Sequence, residues 1–129
     1  MALKNHVFPL FLKGAPQVIA TGNAATVDWN GKTSLIHVDT ANTAITSLTL
    51  KATDEDGLPI KEGTMVTVRN TANLNVDVDT SADFIGDTGE DVYRLVQDED
   101  VTLMFVGYNT DGTEAGWTLL STGGTVSAS

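Results

Sequence analysis

The run VTLMFV at 101–106, followed by a turn-rich stretch and then WTLL at 117–120, constrains this chain more than any other feature. It is apolar except for Thr102, and its β-branched and aromatic side chains favour a strand buried on both faces, which excludes an open sheet edge. The intervening NTDGTEAG, 109–116, is turn chemistry, because Asp-Gly tolerates positive φ and Asn and Asp side chains bond their own backbone. In the second strand Trp117 and Leu119 share one face, opposite Thr118 and Leu120. Leu103, Phe105, Trp117 and Leu119 are therefore the expected anchors of a two-strand ribbon at the centre of the fold.

The rest of the chain repeats the same period. HVFPLFL and QVIA within 1–20 read as an arm or edge strand, and Pro9 suits an edge because it cannot donate to a central ladder. TVDW and SLIHVD flank Asn30-Gly31, which predicts a hairpin. Val27 and Trp29 share a face, while Leu35 and His37 oppose Ser34, Ile36 and Val38. TAITSLTLK, 43–51, reads as a strand in which Ile45 is out of phase with Leu48 and Leu50, as at a bulge or a strand facing two apolar environments. TMVTVRN (64–70) and LNVDVDT (74–80) follow; in the latter Leu74, Val76 and Val78 face one way and Asn75, Asp77 and Asp79 the other. SADFIGDTGED, 81–91, is a loop with Phe84 and Ile85 as local anchors. VYRLV and a QDED turn lead into the central ribbon, and STGGTVSAS closes the chain as a flexible tail.

No apolar periodicity of helical length occurs. About eight short strands joined by polar turns predict an all-β fold, a compact antiparallel β-sandwich, jelly roll or barrel with an N-terminal arm. The expected organisation is an arm or edge strand at 1–20, a β domain at 21–122 and a C-terminal tail at 123–129. A chain of 129 residues is most simply one domain.

Charge narrows the partners. Seventeen acidic residues against seven Lys and Arg give a net charge of −10, with no basic cluster, so nucleic acid is not expected. No segment reaches the 18 or so apolar residues that a membrane span needs, and the Pro-interrupted start is read as neither an export signal nor an anchor. Protein partners are expected.

The residues that carry chemistry do not form a constellation. Carboxylates cluster at Asp54/Glu55/Asp56, at Asp77/Asp79, at Asp83/Asp87/Glu90/Asp91 and at Asp98/Glu99/Asp100, without the order of a calcium loop; they read as solvated turns, and no metal site is expected. Asp77 and Asp79 share a strand face but form no cleft for glycoside cleavage. Asp28, Ser34 and His37 supply the atom types of a hydrolase triad without a nucleophile elbow. His6 and His37 have no catalytic partner at a diagnostic spacing. No phosphate loop and no Cys/His zinc pattern is present, so neither enzyme activity nor a cofactor is expected.

The segment GNAATVDWNGKTSLIHVDTANTAITSLTL, with the later VTLMFVG and GWTLLS, resembles the recurrent β segment of appendage and fibre proteins of tailed bacteriophages. The resemblance covers most of residues 22–121, and Trp29 and Trp117 carry it as structural positions. It implies a virion structural protein, commonly trimeric, with a role in capsid decoration, a head fibre or a tail appendage. The absence of a long repetitive shaft favours a capsid decoration protein on the outer head surface. Its partners would then be the major capsid protein and further copies of itself, with Val7, Phe8, Leu10, Phe11 and Leu12 as candidate assembly contacts. A tail or fibre-attachment protein is the first alternative. A carbohydrate-binding β domain using an exposed Trp29 or Tyr108 is the second. Because Trp29 precedes a turn, partial exposure is expected there, and loss of Trp117 is expected to cost more stability.

Overall fold

A computed structural model describes residues 15–20, 24–80, 91–108, 115–122 and 125–127. Ten strands are found among them: β1 Gln17–Ile19, β2 Thr26–Asp28, β3 Leu35–Val38, β4 Ser47–Thr49, β5 Met65–Asn70, β6 Val76–Asp79, β7 Val92–Leu95, β8 Glu99–Tyr108, β9 Ala115–Thr122 and β10 Thr125–Ser127. They form two five-stranded sheets, here called A in the order β1-β3-β5-β8-β9 and B in the order β10-β7-β6-β4-β2. Neither closes into a barrel among the described residues. The all-β class and the two-layer arrangement agree with the periodicity. The expected all-antiparallel pairing does not hold.

The first six strands alternate between the sheets, so β1, β3 and β5 lie parallel in one and β2, β4 and β6 lie parallel in the other. Parallel neighbours need a crossover of a dozen or more residues, usually a helix. Here each crossover is a strand of the opposite sheet, which explains how a chain without helical periodicity builds parallel pairs. The later strands change the pattern: β7 pairs antiparallel with β6, β8 with β5, β9 with β8 and β10 with β7.

Three local expectations are corrected by this winding. Asn30-Gly31 is not a hairpin turn, since β2 and β3 belong to different sheets. Asn30 nevertheless shapes the connection, its Oδ1 accepting the Lys32 N–H at 2.8 Å, and Gly31 takes φ of 78°. Ile45 is out of phase because it precedes β4 and sits in a turn, where Asn42 Oδ1 accepts the N–H groups of Ala44 and Ile45 at 2.9 and 3.0 Å. Part of the tail, Thr125–Ser127, is a strand on the edge of sheet B.

The glycine at 31 supports a direct test. A methyl group there would overlap the Cα of Asp54 and would sit on a left-handed backbone, whereas Gly57, at φ of 80°, has open space around it. Gly57→Ala is expected to cost roughly 1–2 kcal/mol, the left-handed strain alone, and Gly31→Ala roughly 3 kcal/mol or more, because backbone must also move. Chemical denaturation of the two variants checks this ranking.

The core lies between the sheets. Ile36, Val38, Val66, Val68, Val101, Leu103, Phe105 and Trp117 point inward from sheet A to meet Leu48, Val76, Val78, Tyr93 and Leu95 from sheet B. Alternation accounts for this: in β5 and β6 every second residue is buried. The strand β8 is central, between β5 and β9, but only one of its faces is fully buried. Val101, Leu103 and Phe105 are inaccessible, while Thr102 and Met104 are half-buried and Val106 is exposed.

Trp29 also differs from expectation. It is only 2% exposed, as is Trp117, and the two rings meet edge to face with centroids 5.6 Å apart. Phe105 joins them, 5.2 Å from Trp117. The indole N–H of Trp29 donates to the Thr33 carbonyl at 3.0 Å, so burial of the ring leaves its one donor satisfied. Leu119 is half-buried against the same cluster.

Candidate functional site

With the inward faces committed to the core, a site must be sought on the outer faces. They differ in chemistry. In sheet B the register aligns Asp28, Thr49 and Asp79 in one row and Thr26, Ser47, Asp77 and Arg94 in the next. Arg94 grips Asp77 through two bonds of 2.7 and 2.9 Å, and Lys51 pairs with Asp28 at 2.6 Å. The carboxylate beside it holds the Arg94 guanidinium above its already high ordinary pKa. This face is polar, with Asp28 and Asp77 matched by Lys51 and Arg94.

The outer face of sheet A is different. On its five strands the charged residues are Arg69, Glu99 and Asp100, and Arg69 donates to Asp100 at 3.1 Å. The remaining outward rows run through Val18, Leu35, His37, Met65, Thr67, Thr102, Met104 and Thr118. Thr67 and Thr102 share a hydroxyl bond of 2.9 Å across the strands. Leu35, His37, Thr67, Arg69 and Thr71 line a shallow groove of about 350 Å³.

His37 Nε2 lies 3.2 Å from Thr71 Oγ1. That hydroxyl already donates to the Val38 carbonyl at 2.7 Å, so it accepts from His37, and the tautomer with the proton on Nε2 is selected. The imidazole is held as part of the groove wall. Asp28 is on sheet B with its carboxylate at Lys51, so the Asp28, Ser34 and His37 atom types do not converge on one site.

Two irregularities in the β8–β9 pairing shape the same face. Between Leu103↔Leu119 and Thr102↔Ser121 the extra residue is Leu120; between Phe105↔Trp117 and Gly107↔Gly116 it is Val106. Both extra residues are exposed, Leu120 at 47% and Val106 at 37%. A bulge leaves its extra residue outside the ladder and re-aims the side chain. Gly107 takes φ of 93°, consistent with a glycine-dependent bulge. The strict alternation read from WTLL could not reveal this, because a bulge depends on the partner strand.

A second concavity, of about 370 Å³, includes Gln17, Asp28, Asn30, Lys51, Asp54 and Glu55 in its lining. Gln17 bridges the layers there: its Nε2 donates to the Asp28 carbonyl at 3.1 Å and its Oε1 accepts the Asn30 N–H at 2.9 Å. The polar lining is thus occupied in joining β1 to the end of β2.

The acidic clusters have local structural roles. Asp54 Oδ1 accepts the N–H groups of Asp56 and Leu58, both at 2.9 Å, and Lys32 bonds Asp56 with Glu55 nearby. The bond to Asp56 raises the Lys32 pKa. Glu99 accepts the Val96 N–H at 2.9 Å. Among the described residues no three His, Asp or Glu side chains converge as a metal site, and no helix is long and apolar enough to cross a membrane. Asp83, Asp87 and Glu90 lie outside the described residues, as do the anchors Phe84 and Ile85, His6, and the assembly contacts Val7, Phe8, Leu10, Phe11 and Leu12.

Asp39 provides a pH test. The N–H of Ala41, and secondarily the Thr40 hydroxyl, hold its carboxyl below the ordinary value of 3.8. A depressed folded-state pKa stabilises above the unfolded value and loses that contribution as pH falls through the folded one. Asp39→Ala is therefore expected to melt below the parent protein at neutral pH, with the gap closing in acid below pH 3.8. Thermal melts across the acidic range measure the gap.

No protein-family model, curated protein or solved structure matches this chain.

Proposed function

We propose that this chain is a structural virion protein, a capsid decoration protein that binds the outer surface of a tailed-phage head and associates with copies of itself, most simply as a trimer. The observation that carries the reading is the contrast between a net charge of −10 and an outer sheet face whose Arg69 and Asp100 neutralise one another. Like charge opposes association wherever acidic surfaces meet, so a nearly neutral face with exposed Val18 and Leu120 offers a surface where protein can dock at low electrostatic cost. The appendage-like segments supply the class of particle.

Burial of Trp29 removes it as an aromatic platform for sugar, which weakens the carbohydrate-binding alternative. The part of 1–20 assigned as an arm or edge strand divides: Gln17–Ile19 is an edge strand of sheet A with Ile19 in the core. The attachment test therefore uses deletion of residues 1–14 and leaves β1 in place. Full-length protein is expected to co-sediment with undecorated capsids, and the shortened protein to retain its β signal and melting temperature while losing capsid binding. Absence of binding by the full-length protein would reject the reading; equal binding by both would reject the role of residues 1–14.

A further inference from the structure

Asn30 is the one asparagine in the chain that glycine follows, and that pairing is chemically labile. The backbone nitrogen of Gly31, deprotonated by base, attacks the Asn30 side-chain carbon Cγ. The new N–Cγ bond closes a succinimide as the Cγ–Nδ2 bond breaks, and Nδ2 takes up a proton and leaves as ammonia. Water then opens the ring at either carbonyl and leaves aspartate or isoaspartate. Glycine favours the first step because no side chain crowds its nitrogen or restricts its backbone. The other asparagines are followed by His, Ala, Thr, Leu or Val.

The native turn opposes that reaction at the atoms it needs. Gly31 is buried against the Asp54 backbone, so base reaches its N–H only when the turn opens. The peptide plane that contains the Gly31 nitrogen is fixed by the Glu55 N–H, which donates to the Asn30 carbonyl at 2.9 Å. The preceding plane is fixed by Gln17 Oε1, which accepts the Asn30 N–H at 2.9 Å. The carboxamide itself is held through Oδ1, which accepts from the Lys32 N–H at 2.8 Å and from the Thr33 hydroxyl at 3.3 Å. Four bonds thus tie the backbone and side-chain torsions of Asn30 to β1, to Glu55 and to residues 32–33. We propose that Asn30 is a covalent modification site gated by the fold: its deamidation is suppressed while this turn is closed and proceeds when the turn opens. Isoaspartate adds a methylene to the backbone where Gly31 abuts Asp54. A chain that has reacted by that route does not reclose the turn, and its opening becomes irreversible through chemical modification.

Full-length protein is held in mildly alkaline buffer at one temperature, with and without unfolding urea, and then digested. Fragment mass spectra locate the acid that replaces each amide and separate Asn30 from Asn23. A peptide of residues 26–35 gives the intrinsic rate in each buffer, which removes any effect of urea on the chemistry. Relative to that peptide, acid at residue 30 is expected to accumulate at least about tenfold more slowly in the folded protein, the factor for an opening that costs about 1.4 kcal/mol. In urea the protein is expected to react as fast as the peptide. A folded protein that reacts as fast as the peptide would overturn the proposal, and so would one that reacts faster, because the two donors on Oδ1 would then be activating the carboxamide. Gln17→Ala releases one of the four bonds and is expected to deamidate faster than the parent in native buffer, with an unchanged rate in urea. A folded Gln17→Ala protein that reacts no faster than the parent would overturn the proposal as well. If circular dichroism shows that variant unfolded, the ratio of folded protein to peptide decides alone.

Discussion

Trp29→Ala and Trp117→Ala are each expected to destabilise the fold by roughly 3–5 kcal/mol, and the double variant by less than their sum. The two rings come from different parts of the chain, one just after β2 and one within β9, and meet edge to face across the interior. Each single change removes a ring that is 2% exposed and strips the other of its partner, so a double-mutant cycle should return a coupling of about 0.5–1.5 kcal/mol. Phe105 remains against the cavity left by Trp117, which limits collapse there, while loss of Trp29 frees the Thr33 carbonyl that its N–H had satisfied. Urea midpoints and slopes for the four proteins of the cycle measure these quantities. Additive effects would mean that the rings are packed independently.

Asn70→Ala is expected to cost about 3 kcal/mol, out of proportion to the few atoms it removes. Asn70 is fully buried at the end of β5. Its amide nitrogen donates to the carbonyls of Leu74 at 2.8 Å and Leu95 at 3.2 Å, and its Oδ1 accepts the Ala72 N–H at 3.0 Å. This one side chain therefore folds the 71–75 connection and ties it to β7. Truncation strands backbone groups away from water, at roughly 1–3 kcal/mol for each buried group left unsatisfied. Asn70→Asp should be at least as damaging near neutral pH, because it replaces the donor with a second acceptor facing two carbonyls and introduces an unpaired buried charge. A melting temperature within a degree or two of the parent for Asn70→Ala would show that water replaces the lost bonds. That Asn70 closes the 71–75 connection is decided by the positions of Leu74 and Leu95.

Legibility of the candidate site divides in the same way. The opposition of Leu35 and His37 to Ile36 and Val38 was visible in SLIHVD, because side-chain direction along a strand alternates with a period of two whatever the strand pairs with. That Leu35 and His37 join Thr67, Arg69 and Thr71 in one groove was not visible, since it depends on β3 lying beside β5 in a particular register. Alternation in WTLL set Leu120 opposite Trp117 and Leu119, but the bulges at Leu120 and Val106 were hidden: a bulge is a mismatch between two strands, and neither strand records it alone.

For the fold, local chemistry was enough to establish the β class, the absence of helical periodicity and the opposed faces of β3 and β6, because these follow from the alternation of apolar and polar side chains and from turn residues, whereas β8, expected to be buried on both faces, is fully buried on one. Tertiary structure decided the direction of pairing, the alternation of the first six strands between two sheets and the burial of Trp29. A parallel and an antiparallel strand can bury the same face with the same sequence, so periodicity does not distinguish them. The choice is made by long-range packing: Asn30-Gly31, compatible locally with a hairpin, instead carries the chain from one sheet to the other, where Trp29 buries its ring against Trp117 and the backbone at Gly31 packs against Asp54.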